Sequence, residues 1–171
     1  MYSNIMQAYH ISLMCLISSG INSLPVTLAQ ICKNSNTKII KNSSMSEKAL
    51  KPKESSRLIM HASENYIIVN DAMHIVMQRY AIACKLGYIY IGFNITDYES
   101  DHFATNLLAP LCILRNLNIQ NPNRIADVCS IPQTVARYQS RQLKKHISQE
   151  SNPIESLVCK QFHKFISNYN T

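Results

Sequence analysis

Glycine and proline are scarce, 3 and 6 of 171 residues, and charged side chains make up only 16%. That excludes collagen-like, low-complexity and linker-like chains, while 46% hydrophobic residues describe a packed globular one. No stretch approaches the ~20 apolar residues of a membrane-spanning helix. Residues 1–10 carry no Lys or Arg and the apolar run 11–17 is short, so no secretion signal is expected and the chain reads as cytoplasmic. The six cysteines, Cys15, Cys32, Cys84, Cys112, Cys129 and Cys159, include no Cys-x-x-Cys pair. A zinc knuckle and a disulfide framework are therefore excluded, and buried thiols in a reducing compartment are expected. Acidic residues are outnumbered, 10 against 17 Lys and Arg, for a net charge of +7. Such a chain suits DNA, RNA, an acidic protein or an anionic surface, and charge alone does not choose among them. The length sets a prior of one domain with a sizeable core, not a repeat array or a large multidomain enzyme.

Periodicity orders the chain as follows. Apolar residues at Met6, Tyr9, Leu13 and Leu16 or Ile17 predict a first helix, with Asn4 and Gln7 placed like a capping pair and Gly20 as its stop. Pro25 suits the first position of a short second helix running to Cys32. Residues 37–41 read as a strand, and 42–56, with Lys48, Lys51 and Lys53, as a solvated loop. Residues 57–61 and 66–70 read as a hairpin around the turn 62–65, giving an antiparallel sheet of about three strands. A helix follows Asp71 and ends near Gly92, with Ile82, Leu86 and Ile89 on its apolar stripe beside Ala83, Gly87 and Tyr90. Further helices are predicted at 99–108, 111–117, 123–129, 133–146 and, more weakly, 155–166. His61 and His74 read as ordinary polar residues.

Two segments carry a family resemblance. The run Arg79-Tyr80-Ala81-Ile82-Ala83-Cys84-Lys85-Leu86-Gly87-Tyr88 resembles the active-site helix of the ImmA/IrrE zinc metallopeptidases, where a similar lead-in precedes His-Glu-Leu-Gly-His. The run Glu99-Ser100-Asp101-His102-Phe103-Ala104-Thr105-Asn106-Leu107-Leu108-Ala109-Pro110 resembles the family's downstream helix, in the same order and at the same spacing. Weaker echoes lie at 20–26, 67–70, 125–126 and 129–132, so the resemblance covers roughly residues 5–145. It implies an α+β, zincin-like fold, with a small sheet packed on the former active-site helix. It also implies a peptidase-like core at 1–110 and a C-terminal helical region, 111–171, packed on it.

The departures from the family pattern fall on its chemistry. In such enzymes two His at i and i+4 hold Zn²⁺ and the intervening Glu activates the metal-bound water. Here those positions are Cys84, Lys85 and Tyr88, and of the family's ligand set only the third position, Glu99, is kept. A protonated Lys cannot serve as the base. At ~5 Å and an effective dielectric of ~20 it also repels a 2+ ion by about 6 to 7 kcal/mol, nearly five decades of affinity. The expected consequences are no catalytic residues, no cofactor, and a Lys85–Glu99 ion pair in place of the metal. A metal site rebuilt from Cys84, Glu99 and His102 is the alternative, since Glu99 and His102 are one helical turn apart. A Cys84 activated by Lys85 is another.

Active members of the resembled family cleave helix-turn-helix repressors in phages and mobile elements. The resemblance thus implies a member that binds such a regulatory or defence protein without cutting it. The alternatives are a zinc endopeptidase with a non-standard site and a DNA-binding regulator. The last rests on residues 125–141, which have the look of a helix-turn-helix with Gln133, Thr134 and Arg137 on its second helix. Arg137, Arg141, Lys144 and Lys145 are the candidate partner-binding residues.

Overall fold

The computed structural model describes residues 2–47, 49–145 and 152–170. Helix α1 (Tyr2–Ser18) buries Ala8, Ser12, Leu13, Cys15 and Leu16, whereas Met6 is 51% exposed. The core-facing stripe is thus displaced from the predicted one because α1 is covered from more than one side, by the later helices Asp97–Leu108, Pro153–Gln161 and Ile75–Ile91. Asn4 lies inside the helix rather than capping it. The stop is as read: Gly20 (φ +63) takes the left-handed conformation, and the amides of Gly20 and Ile21 close on the carbonyls of Ile17 and Leu16, both at 3.0 Å.

Pro25 does not open a helix. It follows a cis Leu24–Pro25 peptide in a bent connecting segment whose Leu24 and Val26 are buried. Helix α2 (Leu28–Asn34) begins only at the end of that stretch.

Strands β1 (Thr37–Lys41), β2 (Ser56–His61) and β3 (Glu64–Val69) form one sheet in the order β1-β3-β2. The β2–β3 hairpin is antiparallel, but β1 runs parallel to β3, pairing Ile39 with Ile67. The sheet is therefore mixed, not antiparallel. The long loop after β1 stays at the end of the sheet where β1 finishes, since Lys41 and Ser56 both pair with Val69, and β2 then runs back so that β3 returns parallel to β1. The hairpin turn is also shorter than predicted, just Ala62 and Ser63, with Ala62 at φ +54. Glu64 and Asn65 join the ladder, where Glu64 pairs with Lys38 at 2.7 Å.

Ile67, Val69 and Leu58 turn to the core, and Ser56 Oγ donates to the Ala81 carbonyl at 3.3 Å. That seats the sheet on α3 (Ile75–Ile91), whose Ala81, Ile82, Ala83, Leu86 and Gly87 are buried close to the predicted stripe. Helix α4 (Asp97–Leu108) packs on the other side of α3 and against α1. Helices α5 (Leu111–Asn116), α6 (Pro122–Cys129), α7 (Gln133–Lys145), α8 (Pro153–Gln161) and α9 (His163–Tyr169) complete the described fold. The single helix expected at 155–166 is two, parted at the fully buried Phe162. His146 and Lys48 lie outside the described residues.

One hydrophobic cluster runs from Leu13 and Leu16 through Leu86, Phe103 and Ile125 to Val158 and Phe162. The helices after residue 110 therefore share a core with the preceding part of the chain. The architecture is α+β, and among the described residues no helix is long and apolar enough to cross a membrane.

Candidate functional site

Cys84, Lys85, Tyr88 and Glu99 lie where α3 and α4 meet. The helices approach closely because Gly87 offers no side chain: a Cβ there would lie 3.3 Å from Phe103 Cδ1 and 3.4 Å from the Ser100 Cα. Ser100 Oγ donates to the Cys84 carbonyl at 2.8 Å, fixing the register between the two helices. Arg79, one turn before the site, donates to the carbonyls of Val26 (2.9 Å) and Ser130 (3.3 Å), so it ties α3 to two connecting segments.

Cys84 and Tyr88 are one turn apart on α3, and each finds an aspartate on α4. Cys84 Sγ donates to Asp101 Oδ1 at 3.3 Å, and the Tyr88 hydroxyl donates to Asp97 Oδ1 at 2.5 Å. The result is a two-rung ladder between an i, i+4 pair on each helix. Burial and then the Asp101 carboxylate push the Cys84 thiol well above its usual range, and the nearby Lys85 only partly opposes them. Both the burial and the Asp101 contact act against a thiolate, so the geometry does not favour Cys84 as a nucleophile primed by Lys85. Burial and the bond to Asp97 push Tyr88 up to about 12. Its phenol holds its proton at neutral pH.

Lys85 does not pair with Glu99. Its ammonium sits over the Tyr88 ring, 5.2 Å from the centroid, and the ion pairs among the described residues are Lys38–Glu64, Arg57–Glu54 and Arg115–Glu155. Glu99 is already taken. Thr96 caps α4, its Oγ1 accepting from the Glu99 amide at 3.3 Å, while Glu99 Oε2 accepts from the Thr96 amide (2.6 Å) and hydroxyl (2.8 Å). This reciprocal cap is a local arrangement that a Thr-x-x-Glu spacing favours, and it outcompetes a cation on the next helix. The Thr96 amide and hydroxyl, followed by the Asn4 side chain of α1, hold the Glu99 carboxyl below its usual value.

His102 is enclosed by two tyrosines, edge-on to Tyr98 at 4.6 Å and Tyr138 at 5.7 Å, with Tyr138 Oη 3.4 Å from its Nε2. Burial lowers its pKa, which keeps the ring neutral. Cys84, Glu99 and His102 thus have three separate sets of partners and are not brought onto one point. No group of three His, Cys, Asp or Glu among the described residues is arranged to hold a metal ion. The donors present do not suit Zn²⁺ either: a protonated thiol, a carboxylate used as a helix cap and a ring shielded by tyrosines, with a lysine in their midst.

Asp97, Asp101, Tyr98 and Tyr138 were not singled out in the sequence. The signal for the aspartates was there, since their spacing of four matches that of Cys84 and Tyr88. Nothing local announces Tyr138, which comes from α7.

Helices α6 and α7 are joined by three residues, with Ser130 in the left-handed conformation (φ +50). Its amide and that of Ile131 close on Asp127 and Ala126, as in a glycine-terminated helix. Thr134, Arg137, Arg141, Lys144 and Lys145 are exposed on α7, while Ala136, Gln139, Ser140 and Leu143 are buried. Gln139 and Ser140 fix the buried side through the carbonyls of Ala109 (2.5 Å) and Gln120 (2.7 Å). The four basic candidates therefore share an outward face that has no acidic residue on its own helix.

No protein-family model, curated protein or solved structure matches this chain.

Proposed function

We propose that the protein is a non-catalytic, ImmA/IrrE-like pseudo-metallopeptidase with a zincin-like core, cytoplasmic, that works by binding a regulatory protein. The partner class this reading favours is a helix-turn-helix repressor, or a defence factor, of a phage or mobile element. The observation that carries it is the pair of hydrogen bonds Cys84–Asp101 and Tyr88–Asp97, which engages the altered α3 positions with carboxylates of α4. A water-activating base has no counterpart at Lys85, and Glu99 serves the helix cap. Beside this closed site, Phe93 and Tyr98 stay 54% and 55% exposed, a pair of apolar rings suited to partner contact. The test mixes the protein with a repressor of the same element, with and without added zinc. A stoichiometric complex containing full-length repressor supports the reading. Zinc-dependent repressor fragments would replace it with the endopeptidase alternative.

A second reading, direct DNA binding, is favoured by the helix–three-residue turn–helix geometry of α6 and α7 and by the acid-free outward face of α7. Duplex affinity that falls steeply with salt, and falls further in Arg137→Ala/Arg141→Ala, would support it.

A further inference from the structure

Far from the α3–α4 site, two thiols meet between α5 and α8. Cys112, in the first turn of α5, is 3% exposed, whereas Cys159 on α8 is half-buried and reaches solvent. The Cys159 thiol packs against Cys112, donating to its carbonyl oxygen at 4.0 Å. Asn116 completes the arrangement: its Nδ2 donates to the Cys112 carbonyl at 2.7 Å and to Cys159 Sγ at 3.3 Å. The nearby Glu155 carboxylate would oppose a thiolate, but it is bound by Arg115 at 3.0 Å and by the Tyr9 hydroxyl at 2.5 Å.

The Asn116 amide thus points a donor at the Cys159 sulfur. The neighbouring Cys112 side chain holds Cys159 below the usual thiol range, while Cys159 and burial push Cys112 above it. A partly exposed thiol supported by an amide donor, with a second cysteine beside it to resolve it, suits oxidation by a peroxide. The other cysteines lack it. Cys15, Cys32 and Cys129 are buried, and all three are pushed up by burial. Cys84 is hydrogen-bonded to a carboxylate that disfavours its thiolate.

We propose that Cys159 and Cys112 form an oxidation site for hydroperoxides, with Cys159 as nucleophile and Cys112 as the resolving thiol that closes a disulfide between α8 and α5. In the first step Cys159 Sγ attacks a peroxide oxygen, the O–O bond breaks, and the leaving oxygen departs as water or alcohol after taking up a proton. Cys159 becomes a sulfenic acid. Cys112 Sγ then attacks that sulfur, the S–O bond breaks, and hydroxide leaves as water with the Cys112 proton. Two thiols lose two electrons and two protons in all, and one peroxide is reduced.

The experiment treats the intact, natively folded protein with hydrogen peroxide, then denatures it, alkylates remaining thiols and maps peptides by mass spectrometry. The expected result is loss of two of the six thiols, one cross-linked species joining the peptides of Cys112 and Cys159, and full recovery with dithiothreitol. In Cys112→Ser the Cys159 sulfenic acid persists and is trapped by dimedone, and in Cys159→Ser Cys112 stays reduced. Six intact thiols under peroxide that oxidises a free-cysteine control, or a cross-link that includes Cys84 instead, would overturn the proposal. If Cys112→Ser fails to fold, the wild-type peptide map decides alone.

Discussion

Glu99 is held by chemistry local to the start of α4. Its carboxylate is bound most favourably as an anion, because the Thr96 amide and hydroxyl donate to it. The folded-state pKa is lowered, so the contribution to stability is fully present above the usual value of about 4.3 and is lost as the pH falls through the folded value. Urea unfolding between about pH 6 and about pH 3 should therefore show a steeper loss for the wild type than for Glu99→Gln, whose amide can still close the cap. Equal slopes would mean the cap carries no titrating interaction. Thr96→Ala should cost about 1 kcal/mol at neutral pH. Lys85→Ala should change stability by no more than ~1 kcal/mol, the scale of an exposed cation–π contact, because no carboxylate depends on it. A loss of several kcal/mol would point to the ion pair with Glu99 that the structure does not contain.

Among elements, the α3–α4 contact turns on Gly87. Alanine gains ~1 kcal/mol of helix propensity there, but its Cβ would press on the buried Phe103 and the α4 backbone at 3.3 to 3.4 Å. The two effects oppose, so Gly87→Ala is expected to be near neutral. Gly87→Val adds more bulk for a smaller propensity gain and should cost about 1 to 3 kcal/mol by overpacking, read as a lower midpoint in thermal or urea unfolding. A tolerated valine would mean the helices are not locked at this distance. At this scale much of the helical pattern was legible: α3, α4, α6 and α7 lie close to their predicted bounds, and Ile82, Ala83 and Leu86 are buried as read. It was less legible where tertiary neighbours set the pattern. Met6 was misplaced because α1 is covered on several sides, and β1 because no local feature distinguishes a parallel from an antiparallel partner for a five-residue strand. The ladder was half legible, since Lys85 drew attention as the conspicuous cation while the quieter i, i+4 aspartates supply the bonds.

At the scale of the whole molecule, the two ends of the chain close on each other. Phe162, fully buried at the break between α8 and α9, fills the common core, and Gln161 Nε2 donates to the carbonyls of Leu16 and Ile21 at 2.9 and 2.5 Å. Phe162→Ala should cost about 3 to 5 kcal/mol, measured by urea unfolding, and should unfold the chain in a single transition because the core is continuous. Two separated transitions would show instead that the C-terminal helices form an independent unit.

The functional account stands or falls on whether this architecture holds zinc. The most direct measurement is the metal content of protein purified without chelator, by elemental mass spectrometry, beside a zinc-loaded sample and a Glu99→Ala variant. The account predicts no stoichiometric zinc in any of them, because the thiol, the phenol and the carboxylate of the site are committed to Asp101, Asp97 and Thr96. One zinc per chain that disappears in Glu99→Ala would contradict it, and would make the protein a metallopeptidase with a rebuilt centre.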